Sequence, residues 1–277
     1  MNSEQKGPIG VFDSGYGGLT ILHQVRQLLP QYEYLYLGDN ARAPYGPRSF
    51  DVVYRFTRQA VLHLFAQGCP LVILACNTAS AKALRSIQQN DLPVVDPTRR
   101  VLGIIRPTAE CIGDLTHTRH IGILATEGTI RSESYELEIH KLFPDIHVTG
   151  QICPLWAALV EANEGDSPGA DYFVQKRINQ LMQRDPEIDT IILGCTHYPL
   201  LLGTILKHVP RGVRIVPQGE YVANSLSDYL NRHPEMEKRL LRTGSTRYLT
   251  TENPERFKES AMLFLREHVD AENITLE

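Results

Sequence analysis

Short, continuous apolar runs alternate with segments of helical periodicity along most of this 277-residue chain. The runs at 9–12, 71–75 and 190–193 are each bounded by turn residues and followed by a helical pattern. Uninterrupted apolar strands of this kind are typical of parallel sheets that helices cover on both faces. The sequence therefore predicts an α/β fold, in which ligands bind beyond the carboxyl ends of the strands.

The same alternation extends through both halves of the chain. The segment 163–170 is predicted as a surface loop, and the charged segment after Arg232 as helical pieces. Further strands are predicted at 34–37, 93–95 and 121–125, and helices at 19–29, 50–65, 79–89, 132–142 and 171–182.

Charge and cysteine content exclude several classes of protein. A net charge of −4 gives no basic footprint for nucleic acid. No run approaches the ~18 apolar residues of a membrane span, and the polar start lacks the apolar stretch of a signal peptide. We therefore expect a cytoplasmic protein. Five dispersed cysteines without a Cys-X-X-Cys pair favour free thiols over disulfides or a structural zinc site.

Two predicted strand ends resemble each other, and each carries a cysteine. The two segments read Cys76-Asn77-Thr78 and Cys195-Thr196-His197. A cysteine at a helix N-terminus faces the positive end of the helix dipole, which lowers the thiol pKa and favours the thiolate. The polar residues that follow can hold a carboxylate there. A single such cysteine is more simply a small buried hydrophobe, but two similar units favour a chemical role.

Two further strand ends carry polar residues. Residues 12–19 (Phe-Asp-Ser-Gly-Tyr-Gly-Gly-Leu) permit a tight turn and a close approach of backbone to ligand. They do not match a phosphate-binding loop, and Asp13 suits a substrate ammonium group, although it could merely cap the next helix. In residues 38–46 (Gly-Asp-Asn-Ala-Arg-Ala-Pro-Tyr-Gly), Arg42 is either a carboxylate clamp or an exposed surface residue.

Taken together, four stretches resemble the glutamate racemases of the aspartate/glutamate racemase family. They occur in the family's order and span nearly the whole chain, with weaker matches at 122–126 and Glu161. The four stretches are 10–19, 38–46, 75–81 and 194–200.

The resemblance implies two pseudo-symmetric, parallel-sheet α/β domains that face each other across a cleft. It implies a discontinuous first domain, 1–97 plus 210–277, and a second domain, 98–209. It also implies that neither a cofactor nor a metal is needed. The catalytic thiols would be Cys76 and Cys195. The residues implied to contact substrate are Asp13, Ser14, Tyr45, Gly46, Asn77, Thr78, Thr196 and His197.

The implied activity is interconversion of L- and D-glutamate, supplying D-glutamate for bacterial peptidoglycan. Racemisation removes a proton from one face of Cα and returns one to the other, so two thiols on opposite walls can exchange the roles of acid and base. Asp13 would assist Cys76, and His197 with Glu161 would assist Cys195. We expect glutamate as the small-molecule substrate, no nucleic acid or membrane partner, and a homodimer.

Other interpretations use the same residues. An aspartate racemase would share the fold and both cysteines, whereas a two-lobed amino-acid-binding protein would bind without turnover. Cys76, Cys195 and His197 could be zinc ligands, and a pyridoxal enzyme would need a lysine, for which Lys82 is the nearby candidate. The chain departs from the expected family pattern at 96–100 and 217–220.

Overall fold

The computed structural model describes residues 6–277, whose strands form two all-parallel sheets. The first sheet has the strand order β10-β9-β2-β1-β3-β4, and the second has the order β6-β5-β7-β8. This arrangement confirms the predicted α/β class and the two parallel sheets. The strands are β1 Ile9–Asp13, β2 Tyr34–Gly38, β3 Leu71–Leu74, β4 Arg100–Gly103, β5 His120–Ala125, β6 His147–Ile152, β7 Thr190–Gly194, β8 Arg214–Val216, β9 Thr246–Thr250 and β10 Ala271–Asn273.

Helices connect the strands. None of the helices in residues 6–277 combines the length and apolar character that crossing a bilayer requires. Two 3₁₀ turns, Asn40–Arg42 and Tyr198–Leu201, and a π-helical turn, Ile87–Asp91, supplement the α-helices. The α-helices are α1 Gly18–Leu28, α2 Phe50–Ala66, α3 Asn77–Ser86, α4 Leu92–Val95, α5 Ile105–Leu115, α6 Glu127–Arg131, α7 Ser134–Leu142, α8 Trp156–Glu161, α9 Pro168–Arg184, α10 Leu202–His208, α11 Gly219–Arg232, α12 Pro234–Glu237 and α13 Pro254–Leu265.

The central strands of both sheets are buried along nearly their whole length. Every residue of β1, β3 and β7 is buried, as are five of the six residues of β5. Each fully buried Val, Leu or Ile contributes about 1.5–3 kcal/mol relative to an exposed side chain. This burial explains why these strands appear in the sequence as uninterrupted apolar runs.

The predicted strand at 93–95 is wrong. Residues Leu92–Val95 form the short helix α4, with Pro93 in its first turn. Val94 is 85% exposed, so the β-branched residues that suggested a strand do not meet a sheet. The edge of the first sheet is instead β4, which pairs with β3.

The segment after Arg232 also differs from its prediction as helical pieces alone. Besides α12 and α13 it contains β9, which pairs with β2, and β10, which pairs with β9. The chain therefore returns to the first sheet after forming the second.

The sheet to which each strand belongs indicates where the chain passes from one half of the protein to the other. β4 lies in the first sheet although it follows the proposed boundary at 97/98, and β8 lies in the second although it follows 209/210. If each sheet defines a domain, both crossings fall later, after Gly103 and after Val216. We propose this adjusted division and call the two halves the first and second lobes.

Candidate active site

The first candidate cysteine lies at the carboxyl edge of the first sheet. Cys76 follows β3 by two residues and caps α3, and its Sγ accepts a hydrogen bond from the backbone N–H of Ala79 at 3.4 Å. The Oγ of half-buried Ser14 lies 3.3 Å from Cys76 Sγ. The loop after β1 and the start of α3 thus form one wall around this thiol.

Asp13, the last residue of β1, is buried in the same wall. Its Oδ2 accepts a hydrogen bond from the backbone N–H of Gly15 at 2.8 Å, whereas its buried Oδ1 has no hydrogen-bond partner among the described residues. Burial raises the pKa of Asp13, although His197 and the nearby backbone N–H groups oppose the shift. A carboxylate oxygen without a partner is suited to accept from a ligand ammonium group.

The second candidate cysteine lies at the equivalent edge of the second sheet. Cys195 directly follows β7, and its Sγ lies 3.8 Å from Nδ1 of His197. Nε2 of His197 lies 2.8 Å from Oε1 of Glu161, at the end of α8. Cysteine, histidine and carboxylate therefore form a connected series of the residues that the family resemblance implied would assist Cys195.

The charge of His197 follows from these neighbours. Burial alone would lower its pKa, but the hydrogen bonds to Cys195 and Glu161 outweigh burial and raise the pKa of His197 to about 10. His197 is therefore a cation at neutral pH, and an adjacent cation favours the thiolate form of a cysteine.

The pKa of the Cys76 thiol differs from the value that the sequence led us to expect. Its position at the start of α3 predicted a lowered thiol pKa, and the Ser14 and Ala79 hydrogen bonds do act in that direction. Burial, followed by the negative charge of Asp13, outweighs them and raises the pKa of Cys76 to about 12. The expectation of a thiolate is thus wrong for Cys76, which is a thiol at neutral pH.

The two walls meet directly. A Cβ added to Gly17, in the loop after β1, would lie 2.3 Å from Thr196 Oγ1 and 2.4 Å from His197 Nδ1. Thr20 Oγ1 also donates a hydrogen bond to the Thr196 carbonyl at 3.0 Å. Only glycine permits this close approach of the first lobe to the loop that carries Cys195.

A second junction involves Thr78 and Gly46. Thr78 Oγ1 lies 3.0 Å from Thr126 Oγ1, at the carboxyl end of β5, and the Gly46 carbonyl accepts from the backbone N–H of Gly128 at 2.9 Å. Both predicted contact residues therefore lie on the rim where the lobes come together.

Tyr45 is buried beneath this rim, where its hydroxyl is already hydrogen-bonded within the protein. Its hydroxyl donates a hydrogen bond to Asp39 Oδ2, and Arg42 Nε donates to the same oxygen at 2.7 Å. Burial and the carboxylate raise the pKa of Tyr45, which keeps its hydroxyl neutral. Arg42 is consequently occupied by Asp39 and is not an open clamp for a substrate carboxylate.

The side chain of Asn77 has partners in the protein. Its Nδ2 donates to Gln218 Oε1 and its Oδ1 accepts from Tyr135 Oη, both at 2.7 Å. Gln218 Nε2 in turn donates to the Ile104 carbonyl and to Thr108 Oγ1, both at 3.1 Å. Sequence reasoning missed Gln218 and noted only that 217–220 departs from the expected pattern.

The zinc and pyridoxal interpretations gain no geometric support. Lys82 Nζ donates to the Arg48 carbonyl at 2.6 Å. Within residues 6–277, no group of three metal-ligating side chains includes Cys76, Cys195 or His197.

The raised pKa of His197 predicts how the free energy of unfolding depends on pH. The ordinary value is 6.5, and the folded value of about 10 means that folding tightens proton binding. The resulting stabilisation is fully present below pH 6.5 and is lost as the pH rises through 10. We expect the free energy of unfolding, measured with denaturant, to decline between pH 6.5 and 9 more in the wild type than in His197→Gln.

The wild type and His197→Gln contain the same five cysteines, so ionisation of the thiols in the unfolded chain, whose ordinary pKa is 9.0, affects both profiles alike. The exposed His117→Gln variant should follow the wild type across this range. Identical profiles for the wild type and His197→Gln would show that His197 is not held as a cation.

The chain is similar to known proteins over nearly its whole length. The family model described as Asp/Glu/Hydantoin racemase matches residues 19–225. A glutamate racemase of Roseobacter denitrificans is 41% identical over 273 residues, covering 95% of this chain and 98% of that protein.

Two solved structures extend the similarity to three dimensions. A glutamate racemase isoform from Bacillus anthracis has a TM-score of 0.88 at 33% identity, and the match covers 98% of each chain. A glutamate racemase from Francisella tularensis in complex with D-glutamate has a TM-score of 0.86 at 30% identity, with the same coverage of both chains.

Proposed function

The chain belongs to the Asp/Glu/hydantoin racemase family, which confirms the resemblance found in the sequence, and from this we propose that it interconverts L- and D-glutamate. The observation that carries the proposal is the pair of dissimilar cysteine walls, Cys76 beside Asp13 and Ser14, and Cys195 beside the His197–Glu161 pair. Glutamate is proposed as the substrate because the Roseobacter relative is a glutamate racemase and the Francisella relative is a glutamate racemase in complex with D-glutamate.

The proposed reaction uses one thiolate and one thiol at a time. We assign the role of the first base to Cys195, whose Sγ lies 3.8 Å from His197 Nδ1, and the role of the first acid to Cys76, a buried thiol at neutral pH. In one direction the Cys195 thiolate removes the α-proton from one face of the substrate, and Cys76 delivers its proton to the opposite face. In the other direction the roles exchange, so that the net result is inversion at Cα without a change in oxidation state.

We propose that this protein achieves the reaction without a cofactor or metal. The α-hydrogen of an amino acid is weakly acidic, so positioning, exclusion of water and fixed dipoles must stabilise the carbanion-like transition state. Burial of both cysteines, which are 6% and 7% exposed, favours such a water-poor site.

Substrate contacts are proposed for each predicted residue. Asp13 Oδ1 would accept from the ammonium group. Asn77 would contribute its backbone N–H at the start of α3, since its side chain is engaged by Gln218 and Tyr135. The short polar side chains and rim residues that would contact the carboxylates or shape the pocket are Ser14, Tyr45, Gly46, Thr78, Thr196 and His197.

Turnover of two amino acids tests the substrate. When metal-free, cofactor-free protein is incubated with D-glutamate, we expect the circular dichroism of the amino acid to decay. The kcat/KM for aspartate should be lower by about 10–200-fold, the usual effect of one missing methylene group. Comparable kcat/KM values would assign the chain to aspartate racemisation instead. Saturable glutamate binding without decay of the signal would favour the amino-acid-binding protein.

The family resemblance also supports a cellular role, in which a cytoplasmic homodimer supplies D-glutamate for peptidoglycan. Depletion of the protein should then arrest growth unless D-glutamate is added. Analytical ultracentrifugation of the purified chain tests the homodimer, and a monomer at working concentration would contradict it.

A further inference from the structure

Two histidines and an aspartate meet at the amino-terminal edge of the second sheet, away from the cysteines. His120 and His147 begin β5 and β6 and are direct partners in the parallel register, and their ring centroids are 5.1 Å apart. Asp185 follows the last residue of α9 at the same edge. One ligand atom from each side chain lies within 4.8 Å of the other two.

The spacing of these atoms suits one shared cation. An Asp185 carboxylate oxygen lies 3.0 Å from His120 Nδ1 and 3.8 Å from His147 Nε2. Ligands about 2.1 Å from a tetrahedral zinc ion lie about 3.4 Å from one another, so the observed distances bracket the required value. Two imidazoles and a carboxylate are also a donor set that first-row divalent cations accept.

The carboxylate of this cluster is held in a fixed orientation. Asp185 is 5% exposed, and its Oδ2 accepts from Thr149 Oγ1 at 3.2 Å while Oδ1 accepts from the backbone N–H of Glu187 at 3.1 Å. Hydrogen bonds of this kind orient the ligands of metal sites.

In the part of the chain that the structure describes, no lysine or arginine pairs with the Asp185 carboxylate. Within residues 6–277, the basic groups within 4 Å of Asp185 are the two histidines alone. The neighbouring Arg184 donates to the Gly150 carbonyl at 2.7 Å, and Arg119 pairs with Asp145. A cation that replaces the His120 proton would therefore meet a buried negative charge without competition from a fixed positive one.

We propose that His120, His147 and Asp185 bind one divalent transition-metal ion, with Zn²⁺ as the best fit. The His147 side chain is 62% exposed, so the ion would be exchangeable and would keep at least one water ligand. The site links the starts of β5 and β6 to the end of α9. It lies about 17 Å from the carboxyl edge of β5, at about 3.3 Å per strand residue, so its expected role is structural.

Titration with Co²⁺, a spectroscopic substitute for Zn²⁺, tests the site in the full-length protein. We expect one equivalent to give visible d–d absorption without the near-ultraviolet charge-transfer band of a thiolate ligand, which would mark binding at a cysteine. His147→Gln should weaken the affinity for Co²⁺ by at least about 10–100-fold, as loss of even an outer partner does. The His147 side chain is exposed and makes no hydrogen bond within residues 6–277, while its backbone hydrogen bond to the Arg119 carbonyl does not depend on the side chain, so this variant should fold.

The matched control is His117→Gln, which removes an exposed histidine of the same lobe that is outside the cluster. Zn²⁺ should raise the Tm of the wild type and of His117→Gln but not that of His147→Gln. The proposal is overturned if the wild type binds neither cation at millimolar concentration, if His147→Gln binds as tightly as the control, or if the cobalt spectrum is that of a thiolate site.

Discussion

Replacing either Cys76 or Cys195 with alanine is expected to lower kcat for racemisation by at least about 10²–10⁴-fold, the usual contribution of a general acid or base. Each direction of the reaction needs both groups, so neither direction should survive in either variant. Because the equilibrium constant between enantiomers is one, kcat/KM must fall by the same factor for L- and D-glutamate. The double variant should be hardly slower than the single ones, since groups that act as a unit are not additive.

Cys111→Ala is the matched control, because Cys111 is a partly buried thiol on α5 whose Sγ donates to the carbonyl of Thr108 in its own helix and to no other group within residues 6–277. It should retain near wild-type kcat. Circular dichroism of all variants checks folding, which loss of a single small side chain should not prevent. Near wild-type turnover in Cys76→Ala or Cys195→Ala would exclude the two-thiol mechanism.

The parts of the fold that the sequence could predict are those where burial is continuous. β1, β3 and β7 are buried at every position, so their apolar runs are unambiguous. The edge strands are less regular, since β4 begins with exposed Arg100 and two of the three β10 residues are exposed. Their membership in a sheet depends on partners elsewhere in the chain, which a local pattern does not contain.

The candidate site could be located for a related reason. Parallel strands bring their carboxyl ends to one edge, so the polar residues after β1 and β3 were expected to lie together at the edge of the first sheet and those after β7 at the edge of the second. That the two edges face each other was implied by the family resemblance. The protonation state of Cys76 could not be predicted in the same way, because its sign depends on how deeply the thiol is buried and on the Asp13 charge beside it. Both quantities arise only from the packed structure.

Gln218 illustrates what a local sequence pattern omits. Its partners Asn77, Ile104 and Tyr135 lie 141, 114 and 83 positions away. Ile104 follows β4, the last strand of the first sheet before the chain enters the second sheet. Gln218 follows β8, the last strand of the second sheet before the chain returns to the first. The two crossings between the lobes therefore meet at one buried amide, which also holds the residue after Cys76.

Gln218→Ala is accordingly expected to lower the free energy of unfolding by about 2–4 kcal/mol. The Asn77 amide loses its only acceptor within the described residues, and an unsatisfied buried donor costs about 1–3 kcal/mol. The rest comes from the space that the side chain leaves. Denaturant unfolding measures this loss, and KM for glutamate should rise because the start of α3 is no longer anchored.

Two further variants separate the causes. Gln218→Met keeps most of the side-chain volume. It should therefore lose the stability that the hydrogen bonds provide but avoid much of the destabilisation that a cavity causes. Gln88→Ala removes an exposed glutamine whose Nε2 donates a hydrogen bond to the Val101 carbonyl at 2.8 Å. It should change stability by only about 0.5 kcal/mol, as surface substitutions do. If Gln218→Ala were no more destabilising than Gln88→Ala, the amide would not be what joins the two crossings, and the lobes would depend on the Gly17 and Thr78 contacts instead.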